Sequence, residues 1–142
     1  MSQESTTPDL AEIRRRVFQA ASRGDVDEVL SHWPLAPDAI WDDSALGLGT
    51  YEGLAAIRQH LEEWYSSYDE FEMVGEELRY LCNGVTFSVD FQKGRPAGST
   101  GYVELRYAAV MEWVEGRIKR FTIYTDVDEA RAAAKRLAQE RG

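Results

Sequence analysis

The spacing of apolar residues changes from a helical period to a period of two at about residue 66, and this change constrains the fold most strongly. Apolar residues before it recur every three or four positions. Apolar residues after it alternate with polar ones, as in the run from Val85 to Phe91. Helical spacing predicts α-helices and alternation predicts strands. Because the two patterns occupy separate parts of the chain, the sequence predicts an α+β fold with an antiparallel sheet.

The predicted order is two helices, a strand, a helix, four strands and a last helix. Turn residues and helix caps set the boundaries, with a first helix starting at Pro8-Asp9 and ending at Gly24. The second helix begins at Asp25 and is ended by Pro34 and Pro37. A strand over 38–43 and a helix from Gly53 to about Tyr65 follow it. The remaining elements are two strands joined by Asn83-Gly84, strands over 102–114 and 117–125, and a helix that begins at Asp126.

Two adjacent aspartates end the predicted strand over 38–43. Successive side chains of a strand point to opposite faces, so Asp43 shares a face with Trp41 while Asp42 faces the other way. A carboxylate aimed into a core must be paired, protonated or used in chemistry. We therefore expect Asp43 either to face a cavity or to cap the following loop, and we expect Asp42 to be solvated.

The strand over 102–114 carries apolar residues on both faces. Tyr107 and Ala109 lie on one face, and Ala108 and Val110 on the other. One face can pack on the helices, whereas the other has no remaining element of the chain to cover it. The sequence thus predicts a homodimer through the outer face of the sheet; the alternative is that these small residues are exposed.

Composition favours one domain over residues 8–142, behind a disordered leader over residues 1–7. The formal charge of −9 argues against nucleic acid as a partner. The basic run from Arg14 to Arg16 lies on a predicted helix and is interpreted as a solvated face. No stretch approaches the ~18 apolar residues of a membrane helix, and no export signal is found, so we expect no membrane partner and a cytoplasmic location.

Residue usage also bears on compartment and source. The single cysteine, Cys82, fits a reducing compartment and is predicted to be a buried structural thiol. The excess of arginine over lysine suggests a bacterial genome rich in GC.

Three segments together resemble the SnoaL-like branch of the nuclear-transport-factor-2-like superfamily. They are VFQAASRGDVDEVLSHW, AIWDDSALGLGTYEGLAAIRQHLEEW and EWVEGRIKRFTIYTD, and the resemblance covers residues 10 to about 126. It implies a cone in which a curved sheet wraps helices around an apolar pocket, and it implies a homodimer. The superfamily includes ketosteroid isomerases, polyketide cyclases, epoxide hydrolases and proteins without a reaction, so the resemblance leaves the chemistry open.

Matching by position gives one functional candidate. Asp43 matches the general base of ketosteroid isomerase, but Val17 and Ala109 stand where that enzyme has its two hydrogen-bond donors. An unaltered isomerase mechanism is therefore not expected. The Asp-Arg-Asp set of the epoxide hydrolases falls at Ala109, Tyr107 and Ile123, and none of them matches.

The predicted catalytic residues are Asp43, as general base, and His60, which could pair with Asp43 or hold a substrate oxygen. A helical histidine can equally be a core or boundary residue. Aromatic residues are numerous enough to line a cavity, although core packing would need most of them. The predicted ligand-binding residues are Phe18, Trp33, Trp41, Tyr51, Trp64, Phe87, Tyr107 and Phe121.

No motif for a metal or a cofactor is found. His32 and His60 stand alone, and no glycine-rich phosphate loop follows a strand. The sequence thus predicts a cofactor-independent protein that binds a small apolar oxygenated molecule. The two functional hypotheses are isomerase- or cyclase-type proton transfer with Asp43 as base, and a non-catalytic binding, accessory or dimerisation domain of the same shape.

Overall fold

The computed structural model of the chain describes residues 9–142, so the leader predicted for residues 1–7 lies outside the described part. The helices are α1 (Leu10–Ser22), α2 (Val26–His32), α3 (Leu54–Ser66) and α4 (Val127–Glu140). The strands are β1 (Leu35–Asp42), β2 (Thr50–Glu52), β3 (Tyr68–Tyr80), β4 (Val85–Pro96), β5 (Val103–Val114) and β6 (Arg117–Tyr124). The predicted order is confirmed, and the short strand β2 was not predicted.

Three of the helices begin at an aspartate whose side chain accepts a hydrogen bond from a backbone N–H three residues later. Asp9 caps α1, Asp25 caps α2 and Asp126 caps α4. Each cap satisfies a backbone donor that the first turn leaves unpaired, which is why the acidic start signals located these helices correctly.

The six strands form one curved sheet in the order β2-β1-β6-β5-β4-β3. The run from β3 to β6 is an antiparallel meander, as predicted. The pair β1 and β6 is parallel, so the sheet is mixed rather than purely antiparallel. The register of this pair shifts between Leu35 and Ile40. Pro37 lies in that interval and lacks the N–H that a regular ladder needs, so it interrupts β1 rather than ending α2.

The turn between β3 and β4 is the Asn83-Gly84 hairpin that the sequence predicted. Asn83 and Gly84 have φ of 61° and 73°, and Glu115 and Gly116 in the hairpin between β5 and β6 have φ of 52° and 79°. Two successive residues with positive φ match the right-handed twist of paired strands.

The concave side of the sheet packs on α1, α2 and α3 and forms the larger core. Leu10 of α1, Val29 of α2 and Ile57 of α3 are fully buried there. Odd-numbered residues of β5, such as Ala109 and Met111, face this core, as predicted. The helices therefore close the wide side of the sheet and leave the candidate site between the two layers.

The convex side of the sheet is covered by α4, which corrects one premise of the sequence analysis. Ala130, Ala134 and Ala138 of α4 pack on Ala108 and Val110. The small side chains of α4 allow the helix to lie close to the sheet, so a second subunit is not required to bury this face. The homodimer itself stays a prediction.

Cys82 is exposed, so its prediction as a buried thiol is wrong. Strand β3 ends at Tyr80, and the alternation that buries side chains does not extend to Cys82. The thiol lies in the turn, 3.6 Å from the Asn83 side-chain amide that donates to it.

The covering role of α4 predicts that Ala134→Glu destabilises the chain. Ala134 is fully buried against the sheet, so the variant would place a carboxylate in an apolar contact. We expect the free energy of unfolding to fall by at least about 2 kcal/mol in urea titrations.

The matched control is Ala132→Glu, which introduces the same side chain on the exposed side of α4. This variant should stay within about 0.5 kcal/mol of the parent. Equal effects for the two variants would show that α4 does not cover the sheet.

Candidate functional site

Asp43 lies where β1 runs into a short 3-10 turn over Ser44–Leu46. Its backbone N–H donates to the Gly49 carbonyl at 2.9 Å, and its carbonyl accepts from Leu46 N at 2.9 Å. These bonds fix the backbone of the loop around the aspartate. Asp43 is buried on the concave side together with Trp41, the residue with which the alternation of β1 predicted a shared face.

Asp42 caps the loop instead. Its Oδ1 accepts from Ser44 N at 3.0 Å, and its Oδ2 accepts from Arg120 Nη2 at 2.7 Å. Burial alone would raise the pKa of Asp42, but the hydrogen bonds from Ser44 and the Arg120 guanidinium together hold it below its usual value. Asp42 is thus mostly buried and fully paired, so the prediction that it is solvated is wrong.

His60 comes from α3 and meets Asp43 across the site. Its Nε2 lies 2.6 Å from Asp43 Oδ2, and the ring is 5% exposed. An ionised carboxylate only accepts hydrogen bonds, so Nε2 is the donor when Asp43 is charged. The sequence-based suggestion that His60 pairs with Asp43 agrees with this geometry.

Tyr51 holds His60 from the other side and does not line the cavity. Its ring stacks on the imidazole with centroids 4.1 Å apart and planes at 13°. Its hydroxyl donates to the Leu48 carbonyl at 2.6 Å. The structure thus places Tyr51 as a support for His60, not among the cavity residues where the sequence analysis put it.

Two buried polar side-chain atoms within residues 9–142 have no hydrogen-bond partner, and both belong to this site. They are Asp43 Oδ1 and Trp41 Nε1. The two oxygens of Asp43 therefore differ: Oδ2 is held by His60, and Oδ1 is free.

The site opens onto a cavity of about 60 Å³ between the sheet and α1 and α3. Most of its wall is aromatic or aliphatic. Asp43 and His60 line it together with six of the eight predicted ligand-binding residues, which are Phe18, Trp33, Trp41, Trp64, Tyr107 and Phe121.

Phe87, also predicted to line the cavity, lies on the opposite face of the sheet. It is buried beneath α4, with the Arg131 guanidinium over its ring at 4.8 Å from the centroid. The alternation of β4 was recognised, but its apolar face was assigned to the wrong side. Both faces of β4 are covered, so polarity alone does not show which face meets the helices.

The cavity face of β4 is instead a row of polar residues, Thr86, Ser88, Asp90 and Gln92, all buried. Asp90 and Gln92 line the cavity. The sequence analysis missed this row. The signal that could have found it is the regular polar residue at every second position of a strand whose other face is already apolar.

Arg14 from α1 pairs with Asp90. Its Nη1 donates to Asp90 Oδ1 at 3.0 Å and to the Glu77 carbonyl at 2.9 Å. A Cβ at Gly75 would collide with the guanidinium, so glycine at this position of β3 leaves the space that Arg14 occupies beside Asp90. The interpretation of the whole Arg14 to Arg16 run as a solvated face is therefore wrong for Arg14, which lines the cavity.

Asp90 has an unusual acidity. Burial raises the pKa of its carboxyl to about 6, against the opposing effects of the Arg14 charge and the Ser88 hydroxyl, which donates at 2.9 Å. Glu76 on β3 adds a smaller upward effect. Desolvation outweighs the ion pair here, so the Asp90 carboxyl changes charge near neutral pH.

Two phenols share the cavity wall with these acids. Burial raises the pKa of Tyr107 well above its ordinary value, and the negative charges of Asp90 and Asp43 add to the effect. Burial, with the charge of Asp43, also raises the pKa of Tyr65. Both hydroxyls thus stay protonated and can donate hydrogen bonds within the cavity.

Arg14, Phe18 and Met73 line the cavity and also a surface groove of about 400 Å³ between α1 and β3. The Arg14 guanidinium lies over the Phe18 ring, 5.9 Å from its centroid. These three side chains therefore form the wall between the enclosed space and the surface.

Within residues 9–142, no three His, Cys, Asp or Glu side chains come together in a way that could hold a metal ion. The helices of this part of the chain are also all too short or too polar to cross a membrane.

The pKa of Asp90 predicts a specific pH dependence of stability. Because this pKa is about 6 in the folded chain and 3.8 ordinarily, the folded state binds the proton more tightly than the unfolded state. The contribution is fully present below the ordinary pKa and is lost as the pH rises through about 6, which amounts to about 3 kcal/mol. We expect the unfolding free energy of the parent to fall by that amount relative to Asp90→Asn between about pH 4 and pH 7.

Urea unfolding at several pH values measures this difference. Asp128→Asn, on the exposed start of α4, is the control and should keep the parental pH dependence. An Asp90→Asn curve parallel to that of the parent would contradict the prediction.

Solved structures with the same fold show the architecture. A candidate aromatic ring hydroxylase from Novosphingobium aromaticivorans is 16% identical, with a TM-score of 0.71 over 88% of this chain and 92% of that one. A candidate polyketide cyclase from Xanthomonas campestris is 22% identical, with a TM-score of 0.61 over 84% and 91%. A hypothetical protein from Catenulispora acidiphila with a ketosteroid isomerase-like fold, in complex with trimethylamine, is 15% identical, with a TM-score of 0.68 over 92% and 95%.

At these identities the likeness concerns the fold alone. No curated protein matches the chain in sequence. The family model of the SnoaL-like domain matches residues 14–121, which include most of α1, the aspartate pair, α3 and nearly all of the sheet. The chain therefore belongs to the SnoaL-like family, with the mixed α+β architecture of nuclear-transport-factor-2-like proteins.

Proposed function

We propose that the cavity binds a small, largely apolar, oxygenated molecule and that Asp43 removes a proton from the carbon next to its carbonyl group. The observation that carries this proposal is the buried and unpartnered Asp43 Oδ1 at the wall of an apolar cavity. A carboxylate oxygen with no hydrogen-bond partner is free to accept a proton from a bound carbon acid.

The proposed step is balanced by the ligand and Asp43 alone. The C–H bond breaks, its proton joins Asp43 Oδ1, and the electron pair passes through the new carbon–carbon double bond to the carbonyl oxygen, giving an enolate. Asp43 then returns the proton to another carbon of the ligand for an isomerisation. In a cyclisation, the enolate carbon forms a bond to a second carbonyl carbon of the same molecule, the electron pair of that C=O bond moves to its oxygen, and the resulting alkoxide takes the proton back from Asp43.

His60 is proposed as a positioning residue. Its bond of 2.6 Å to Oδ2 fixes the plane of the carboxylate, so that Oδ1 points into the cavity. Tyr51, stacked on the ring, prevents the imidazole from rotating away. The energetic gain is preorganisation, since the base does not have to reorient when the ligand arrives.

The mechanism of ketosteroid isomerase does not transfer unchanged. Val17 lines the cavity with a hydrocarbon side chain, and Ala109 is buried without a polar group. Both positions lack the donors that the resemblance would require. A donor for the ligand oxygen must therefore come from elsewhere in the cavity wall.

The cavity volume limits the ligand. Typical ligand pockets measure ~300–1,000 Å³, whereas this cavity measures about 60 Å³. Only a compact group fits beside Asp43. A longer ligand would have to pass the wall of Arg14, Phe18 and Met73 and place its remaining atoms in the surface groove.

The alternative is a binding domain without catalysis. The observation that favours it is the hydrocarbon at Val17 and Ala109, where a catalytic relative would have donors. Such a protein would bind the same molecules and would be indifferent to the basicity of Asp43.

Asp43→Asn separates the two functions. The amide keeps the shape and loses the basic oxygen, so proton removal should slow by about 10²- to 10⁴-fold while binding is retained. The measurement is the washout of deuterium from cyclobutanone labelled next to its carbonyl, followed by NMR in the presence of the protein. His60→Gln should slow the washout less.

Asp38→Asn is the matched control, since Asp38 lies on the same strand and is exposed in a pair with Lys119 at 2.6 Å. This variant should exchange at the parental rate. Catalysis by Asp43 is refuted if the parent does not accelerate washout, or if both asparagine variants retain it equally.

A further inference from the structure

The second unpartnered atom of the site, Trp41 Nε1, has no role in the proposed proton transfer. The Trp41 side chain is 7% exposed, and its ring stacks on Phe121 with centroids 4.1 Å apart and planes at 8°. Phe121 is itself held edge-on by Trp33 at 5.8 Å. The direction of the indole N–H is therefore fixed by packing.

An unsatisfied buried donor destabilises a folded chain, because it loses its hydrogen bonds to water and gains none in return. Another buried tryptophan of the chain has a partner for its indole N–H. Trp113 Nε1 donates to Thr86 Oγ1 at 2.9 Å. Trp113 does not line the cavity, whereas Trp41 does. The buried indole that lacks a partner thus belongs to a residue of the cavity wall.

The free donor and the free acceptor belong together. Trp41 and Asp43 are two positions apart at the end of β1, so their side chains project to the same face. Both line the same cavity, and they carry opposite hydrogen-bonding character. One atom offers a proton and the other takes one.

We infer that the Trp41 indole N–H donates to the carbonyl oxygen of the ligand whose neighbouring C–H is presented to Asp43. This inference rests on the proposed function and deepens it, because it names the group that receives the developing negative charge. An indole nitrogen only donates, so the ligand atom that it meets is an acceptor oxygen. The indole is neutral, so the fitting ligand is a neutral ketone, ester or lactone rather than a carboxylate or phosphate.

The other hydrogen-bond donors of the cavity wall either have a partner already or are alternatives to Trp41 as the donor to the ligand oxygen. His60 Nε2 is bound to Asp43, and Arg14 Nη1 is bound to Asp90 and the Glu77 carbonyl. Tyr65 and Tyr107 line the cavity with protonated phenols, so both are rival donors, and Tyr107 supplies the comparison variant.

The test uses the indole N–H signals of the four tryptophans. The chain is labelled with ¹⁵N, and the Trp41 signal is assigned as the one missing from Trp41→Phe. Cyclobutanone is titrated in, with methylenecyclobutane as a probe of the same shape without the oxygen. We expect cyclobutanone to move the Trp41 signal downfield, methylenecyclobutane to leave it nearly unchanged, and neither probe to move the Trp113 signal.

Affinity gives the second readout. Trp41→Phe keeps an aromatic ring against Phe121 and should bind cyclobutanone about 2- to 10-fold more weakly. Its affinity for methylenecyclobutane should stay the same. Tyr107→Phe should retain the preference for the ketone, and parental melting temperatures check that the variants are folded.

The inference is overturned if cyclobutanone, at a saturating or solubility-limited concentration, does not move the Trp41 signal. It is also overturned if the preference for the ketone is lost in Tyr107→Phe and kept in Trp41→Phe. The titration of the parent protein uses Trp41→Phe only to assign the Trp41 signal. A Trp41→Phe variant that binds poorly because it folds poorly therefore does not decide the result. Failure of the proposed function gives a different result. In that case cyclobutanone still shifts the Trp41 indole signal, but the rate of deuterium washout does not depend on Asp43.

Discussion

The hydrogen bond between His60 Nε2 and Asp43 Oδ2 organises the site, since it joins α3 to the end of β1 inside the fold. A buried carboxylate needs a partner, and a buried imidazole needs an acceptor, so each group makes the burial of the other tolerable. The bond engages one oxygen of Asp43 and leaves the second buried without a partner, on a residue that lines the cavity. The chemistry proposed for the site depends on this asymmetry, and Tyr51 preserves it by holding the imidazole in place.

The fold and one side of the site could be predicted from the sequence because they depend on local patterns. Period and caps located the helices, and alternation at the end of β1 turned Asp43 inward. The other side, Arg14 with Asp90, depends on which face of β4 meets the helices. Alternation gives two faces without saying which is inside, and α4 buries the apolar one that includes Phe87. A contact between residues 76 positions apart leaves no local signal in either segment.

The two acids of the cavity are buried by different means. Asp43 has a neutral or cationic imidazole as its partner, whereas Asp90 has a guanidinium and a hydroxyl. The Arg14 guanidinium fits only because Gly75 has no side chain. Burial still raises the pKa of Asp90 to about 6, so the charge next to Arg14 is set by the pH of the surroundings. Arg14 also lines the surface groove between α1 and β3, so the partner of Asp90 lies between the cavity and that groove.

Two matched pairs of residues argue that the free atoms of the cavity are not failures of packing. Asp42 has both oxygens engaged, and Trp113 has its indole N–H engaged. Asp43 and Trp41 are the same residue types, each with one atom unpaired at the cavity wall. The chain satisfies these groups away from the cavity and leaves one atom of each unpaired in residues that line it. Because each free atom lowers stability by about 1–3 kcal/mol, a donor and an acceptor retained side by side are best explained by a molecule that completes both.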